Sequence, residues 1–342
     1  MLDDKVILII GGTGTIGSAL VEHIHNNFNP KVIRILSRDE SKQQFLRFKF
    51  KDTDLNLRFL IGDIREKDRL DRALQNVDIV FHLAALKHVE ACEYNPFEAV
   101  KTNILGLRNV VESAIENNVE KVIFTSTDKA ATPSNTMGVT KLMGEKLITA
   151  SNYYKGPVRT KFYSVRFGNV MGSRGSIIPL IEEQVKNDQP IILTDSQMTR
   201  YIMSIEDAIE FIIKTLDYAQ GGEVFVLKMN AIKIVDLIDI LIDHYTKKYQ
   251  KKREEVQIKE VGLFAGEKMY EELFSIEESE RTYEMEDMYV IIPQLPEVSN
   301  TINVKSYPSA KKFDCTKPFS SKSGPFLSKK EISQFLTKNN LI

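Results

Sequence analysis

Val6-Ile7-Leu8-Ile9-Ile10-Gly11-Gly12-Thr13-Gly14-Thr15-Ile16-Gly17 decides the fold of this chain. Five apolar residues make a strand buried on both faces, and the glycines at Gly11-x-x-Gly14-x-x-Gly17 then carry the chain into a helix. Gly11 permits the tight turn, Gly14 lets a pyrophosphate approach the backbone, and Gly17 lets the helix pack on the strand. Thr13, Thr15 and Ile16 fill the rest of the turn, and the helix N-terminus offers N–H donors and partial positive charge to phosphates. A strand–turn–helix of this spacing predicts dinucleotide binding.

The pattern repeats outward from that unit. Val32–Leu36, Arg58–Ile61, Ile79–His82, Val122–Thr125 and Tyr163–Phe167 are further short apolar runs. Between them lie segments of helical period, such as Ala99 to Asn118 with Val100, Ile104, Leu107, Val110, Val111 and Ala114 on one face. The alternation predicts an α/β fold, a Rossmann-type doubly wound parallel sheet with helices on both faces. A smaller α/β substrate domain toward the C-terminus is expected to share a cleft with it. The expected division gives residues 1–168 and about 205–230 to dinucleotide binding. Residues 169–204 and about 231–342 form the substrate side, with a polar tail from Val298 to Gly324 wrapping the surface. Glu223–Leu227 reads as a returning strand. Ile177–Asp188, Ile205–Ala219, Ile234–Lys247 and Gly266–Phe274 read as helices, and Ser328-x-x-Glu331 as the capping box of a last helix.

The 342 residues carry a formal net charge of -1, so no basic field invites nucleic acid. The two cysteines, Cys92 and Cys315, lie far apart, and no His/Cys spacing suggests a metal site. The charged start, Met1-Leu2-Asp3-Asp4-Lys5, does not read as a signal peptide, and no apolar run nears the roughly 20 residues that span a bilayer. The expectation is a cytoplasmic protein with free thiols and no membrane insertion.

The ends of the strands carry the chemistry. Ser37 and Arg38 follow the second strand, where an NAD site usually places an acid, and they suit a 2′-phosphate; NADP is therefore the expected cofactor. Asp39 stands next to them. Asp63 and Ile64 sit where the adenine edge would lie. Ala84 and Ala85 let the backbone approach a cofactor, and Lys87 and His88 follow toward the cleft. Thr127-Asp128-Lys129 puts a hydroxyl, a carboxylate and an ammonium at the end of the fifth strand, a cluster suited to acid/base work on one small substrate.

Together with Asn103, Lys141 and Arg166-Phe167-Gly168-Asn169-Val170, these motifs resemble an extended short-chain dehydrogenase/reductase. The Thr-Asp-Lys triplet, Arg174-Gly175-Ser176, Met198 to Ser204 and Gly266-Glu267-Lys268 are similar to the UDP-N-acetylglucosamine 4,6-dehydratases of the polysaccharide-biosynthesis group, over roughly residues 1 to 292. That resemblance implies a UDP-sugar substrate, likeness to homo-oligomeric enzymes, and a reaction in which C4 is oxidised, water leaves across C5 and C6, and the hydride returns to C6. It implies that a neutral Lys129 takes the C5 proton, Asp128 serves the C4 and C6 oxygens, Thr127 holds the C4 oxygen, and Lys141 and Asn103 lie at the cofactor. Asn169, Arg174, Arg200, Lys228 and Glu267, with Lys87 and His88, are the implied substrate anchors. The departure is Met137, where most of the superfamily has the tyrosine of Tyr-x-x-x-Lys; a thioether exchanges no proton. An epimerase or reductase of the same fold, which would need that tyrosine, and a non-catalytic NADP-binding protein are the alternatives.

Overall fold

The computed structural model describes residues 1–51, 53, 56–316 and 319–342. Its centre is a ten-stranded sheet. In chain order the first elements are β1 (Val6–Ile10), α1 (Thr15–Asn27), β2 (Val32–Ser37), α2 (Glu40–Lys49), β3 (Leu57–Ile61), α3 (Lys67–Ala73) and β4 (Ile79–His82). There follow α4 (Val89–Tyr94), α5 (Pro96–Ala99), α6 (Gly106–Glu116), β5 (Lys121–Thr127), α7 (Thr136–Tyr154) and β6 (Lys161–Phe167). After β7 (Asn169–Val170), α8 (Ile177–Lys186), β8 (Ile191–Leu193), β9 (Thr199–Met203) and α9 (Ile205–Tyr218), the chain returns to the sheet as β10 (Val224–Leu227). The order β3-β2-β1-β4-β5-β6-β10 is parallel throughout and reverses direction between β1 and β4, which opens a ligand crevice at the strands' carboxyl ends.

Both faces of the sheet are covered, which explains strands that are apolar on every residue. One face packs Ile7, Ile9, Ile33 and Phe81 against Leu20, Val21 and Ile24 of α1 and Ile209, Ile212 and Leu216 of α9. The other packs Leu8, Ile10, Val80 and Val122 against Leu70 of α3, Val110, Val111 and Ala114 of α6, and Ile148 of α7.

The remaining elements are β11 (Asn230–Lys233), α10 (Ile234–Lys248), β12 (Ile258–Glu260), α11 (Ile276–Ser279), β13 (Thr282–Glu284), β14 (Met288–Ile291), α12 (Pro296–Ser299), β15 (Lys311–Lys312) and α13 (Lys329–Lys338). A second core joins Ile178 and Ile181 of α8, Leu237, Leu241 and Ile242 of α10, and Ile332 and Leu336 of α13. Beside it lie the small sheets β11-β9-β7 and β12-β8. The capping box at Ser328 and Glu331 opens α13 as expected.

Three expectations are corrected. Gly266–Phe274 is not a helix. Its backbone is drawn into cross-chain pairing instead: Leu273 N donates to Phe319 O, Ser321 N to Glu271 O, and Thr199 N to Met269 O. The stretch expected as one helix from Ala99 to Asn118 is broken by a π-helical segment, Val100–Leu105, between α5 and α6. The polar segment from Val298 contributes structure: β15 pairs β13, and β13 and β14 extend the main sheet antiparallel beyond β10, although residues 317–318 of that segment lie outside the described ones. Among the described residues no helix is long and apolar enough to cross a membrane, and no cluster of His, Cys, Asp and Glu could hold a metal ion.

Candidate active site

The cradle at β1 is built by glycines that have no room for side chains. Gly11 sits at φ +84, and a Cβ there would come within 2.9 Å of the Ala84 backbone nitrogen. A Cβ on Gly17 would meet Gly12 Cα at 2.5 Å, so α1 seats directly on the turn. Gly14 is the N-cap of α1, whose first turn holds no acid and no side-chain cap, and only Gly11 O lies near where its Cβ would be. No side chain therefore caps the first-turn amides of α1, which leaves them available to a pyrophosphate.

At the end of β2, Asp39 is already engaged: it caps α2 through Lys42 N at 2.9 Å and pairs with Lys42 Nζ at 2.6 Å. Ser37 Oγ accepts from Gln43 Nε2, which leaves its own proton free to donate. Arg38 is more than half exposed and stands 3.6 Å from Asp63. Burial pushes the Asp63 carboxyl up, but Arg65 and Arg38 outweigh it and hold the group below its ordinary value. The residues present fit a dinucleotide, with Ser37 and Arg38 as the polar groups at the end of β2.

Several expected contacts have other duties. Ile64's side chain is buried in the core under Gly106. Asn103, carried by the π-helical segment, accepts from Leu86 N and donates both amide protons, to Leu86 O and to Thr140 Oγ1 at 3.0 Å each. It braces the loop after β4 against α7 and has no proton left for a cofactor. Arg174 was expected at the substrate but lies on the glycine turn, donating to Thr13 O, while its own N–H donates to Thr15 Oγ1. Lys87 Nζ donates to Arg174 O at 3.0 Å, and the His88 ring backs Gly175. Residues 172–176 thus strap the glycine turn. Lys228 is tied into the turn between β13 and β14 through Glu284 at 2.8 Å and Glu286 O. Glu267 accepts from Phe264 N within its own loop.

Beyond the turn lies the reactive cluster. Asp128, fully buried, accepts on Oδ1 from Thr127 Oγ1 at 3.0 Å and Lys129 Nζ at 3.1 Å, while its Oδ2 has no partner. Lys129 Nζ also reaches Asn169 Oδ1 at 3.3 Å and Glu271 Oε1 at 3.2 Å. Asn169 is fixed in turn by donating to Tyr201 O. Arg200 stands 3.7 Å from Glu271, with Nη1 on Thr199 O, so its guanidinium braces β9 and the cluster. Burial works against the Lys129 charge, but Asp128 and Glu271 outweigh it and raise its pKa. This corrects the expectation of a neutral lysine: in this arrangement Lys129 is an ammonium clamped by two carboxylates. Sequence reading misses Glu271 because the expected helix Gly266–Phe274 contains it, and only the paired acids Glu271-Glu272 hint at it.

Lys141 lies behind this cluster. Its ammonium donates to Thr125 O at 2.8 Å, sits 4.7 Å over the Phe124 ring, and is pulled down by burial to about 8. Met137, one turn earlier on α7, is 4% exposed and packs with Cys92, Ala99, Leu86 and Val89. A thioether among apolar neighbours thus stands four residues before Lys141.

Comparison with known proteins follows this geometry. A family model described as polysaccharide biosynthesis protein matches residues 7–293. An uncharacterized membrane protein of Methanocaldococcus jannaschii is 50% identical over 290 residues, 85% of this chain and 86% of the relative. The inverting UDP-N-acetylglucosamine 4,6-dehydratase of Campylobacter jejuni is 40% identical over 86% of this chain and 85% of its own. A UDP-glucose 4-epimerase of Rickettsia conorii is also 40% identical, over 85% and 84%. The X-ray structure of Pen from Bacillus thuringiensis superposes with TM-score 0.92 at 45% identity, covering 100% of this chain and 99% of that one.

Proposed function

The chain belongs to the polysaccharide biosynthesis protein family, and we propose that it is an NADP-dependent dehydratase of UDP-N-acetylglucosamine. The product is a UDP-4-keto-6-deoxy-N-acetylhexosamine. The observation that carries this reading is the buried Asp128–Lys129–Glu271 cluster beside the glycine turn, at a site where the phenol needed by an epimerase is replaced by Met137. The relatives include both dehydratases and epimerases, and this local chemistry is what favours the dehydratase reading.

The glycine turn, Ser37 and Arg38 would hold the dinucleotide, with Lys141 under its nicotinamide end. When bound, the nicotinamide supplies reversible hydride transfer, from C4 of the sugar and back to C6. Thr127 holds the C4 oxygen. Asp128 takes the C4 hydroxyl proton, and the same proton then leaves with the C6 oxygen as water. The new 4-keto group acidifies C5–H, and the clamped Lys129 cluster removes that proton. Asn169 keeps the Lys129 ammonium in register by accepting one of its hydrogen bonds.

Incubation with UDP-N-acetylglucosamine and NADP, followed by proton NMR, tests the proposal. A C6 methyl signal without net NADPH formation is expected. An epimerised or reduced sugar, or unchanged substrate, refutes dehydration, and a product with an unsaturated C5–C6 bond refutes hydride return to C6 alone. Asp128→Asn should lose both NADPH formation and dehydration; surviving hydride transfer would refute the dual role of Asp128.

A further inference from the structure

We propose that Glu271 is the proton acceptor that converts the Lys129 ammonium into the base for the C5 proton. This rests on the dehydratase reading above. Lys129 offers three N–H donors, and three acceptors surround it: Asp128 Oδ1, Asn169 Oδ1 and Glu271 Oε1. An ammonium so held has no lone pair, so one of those protons must move before C5–H is attacked. Asn169 is an amide and cannot take it. Asp128 already carries the C4 hydroxyl proton at this stage, so it cannot take a second one.

Glu271 is the remaining acceptor, and its environment suits the task. It is 1% exposed, and its Oε2 has no hydrogen-bond partner. The backbone is pinned on both sides, Glu271 N donating to Ser321 Oγ at 2.9 Å and Glu271 O accepting from Ser321 N at 2.9 Å. The charged groups facing it are Lys129, Asp128 and Arg200. Burial raises its proton affinity first, Asp128 adds to that, and Lys129 and Arg200 oppose without cancelling it.

The protons balance. One moves from Lys129 Nζ to Glu271 Oε1, leaving a neutral amine and a neutral acid. The amine takes the C5 proton, and the electron pair of that C–H bond enters the enolate of the 4-keto group. The C6–O bond then breaks, with the Asp128 proton completing the water. When the hydride arrives at C6, Lys129 gives a proton back to C5, and Glu271 returns its own to Lys129. Because Glu271 acts through Lys129, it is a positioning residue in the sense that it touches no reacting carbon.

Glu271→Gln tests this, since the amide keeps a hydrogen bond to Lys129 but accepts no proton. UDP-N-acetylglucosamine affinity is expected to stay within about threefold, and NADPH absorbance should still appear on mixing. Deuterium entry at C5 in heavy water and dehydration should both fall about 100-fold. The residual rate should climb about tenfold per pH unit, because Lys129 then loses its proton only to solvent. Glu271→Asp, which keeps the acid, should recover part of the rate with a parent-like pH profile. Dehydration by Glu271→Gln within about threefold of the parent, a residual rate flat with pH, or an aspartate variant as slow as the glutamine variant would overturn the proposal. If the parent itself releases no dehydrated sugar, the dehydratase reading fails instead.

Discussion

Arg166→Met is expected to destabilise the protein by about 4 kcal/mol, the loss associated with breaking a buried ion pair from one side. Arg166 is fully buried on β6, and all five guanidinium N–H donors are engaged. Nε and Nη2 donate to the two oxygens of Glu145 on α7 at 3.0 and 2.6 Å. Nη1 and Nη2 donate to the two oxygens of Glu278 at 2.9 and 3.0 Å, and Nη1 also donates to Leu273 O at 2.9 Å. Methionine would strip Glu145 and the Leu273 carbonyl of these donors in the core and leave Glu278 with only the Ser275 N–H and the more distant Arg281. With an unfolding entropy of about 2.1 cal/mol/K per residue over 342 residues, that loss lowers the thermal midpoint by about 6 °C.

The pH dependence gives a sharper test. Burial pushes the Glu278 carboxyl up, but Arg166 outweighs it and holds the folded value below the ordinary 4.5. Its stabilisation is therefore present above the unfolded value and disappears as pH falls through the folded one. Without Arg166 the largest of those contributions is missing, although the Ser275 N–H and Arg281 still act on Glu278. The parent loses that contribution as pH falls from neutral through the folded value, so the gap between parent and variant narrows. Replacing Glu145 and Glu278 by leucine together with Arg166→Met should recover most of the loss. Thermal unfolding followed by circular dichroism at both pH values is the assay. A loss under about 1 kcal/mol, or a gap that does not change with pH, would refute the reasoning.

Lys141→Met should raise the stability of the cofactor-free protein at neutral pH, by up to about 3 kcal/mol, and its thermal midpoint with it, because burial holds the ammonium near 8 against an unfolded 10.5. For the same reason parent stability should rise with pH between those values, and a lower midpoint for the variant would refute the desolvation argument. Arg38→Asp should weaken NADPH binding about tenfold or more while sparing NADH, read by cofactor fluorescence titration; a parent that prefers NADH would refute the assignment. Gly17→Ala should destabilise by about 2 kcal/mol, since the new Cβ meets backbone at Gly12 and nothing flexible can yield. An unchanged denaturation midpoint would show that α1 shifts freely.

What could be read from sequence follows from where local chemistry agrees with the fold. Val6–Ile10 and Ile79–His82 match their strands residue for residue, because strands buried on both faces are written as unbroken apolar runs. The Thr127-Asp128-Lys129 cluster was legible because its members are adjacent in the chain. Glu271 was not, because it joins Lys129 from 142 positions away through a segment whose backbone partners are Phe319 and Ser321. Helical period in Gly266–Phe274 was overridden by that pairing. β13 and β14 escaped for a similar reason: β13 is three residues long with no alternation of burial, and only its neighbours in the sheet make it a strand. The π-helical turn at Asn103 likewise depends on the amide finding Leu86 and Thr140 at once.

Met137 ties these observations together. A phenol at this position would need a path for its proton, yet the side chain here is enclosed by Cys92, Ala99, Leu86 and Val89, none of which relays one. Burial raises the Cys92 thiol further, so that neighbour is inert at neutral pH. Proton handling is displaced to the other wall of the cleft, where Asp128 and Glu271 flank Lys129. The proposed dehydration calls for two acids there because it moves two protons on different schedules, one from the C4 oxygen to the C6 oxygen and one off and onto C5. A single carboxylate beside Lys129 could serve only one of them at a time. The methionine is then the counterpart of Glu271: where a second acid shares the lysine, the chemistry no longer requires a phenol on α7.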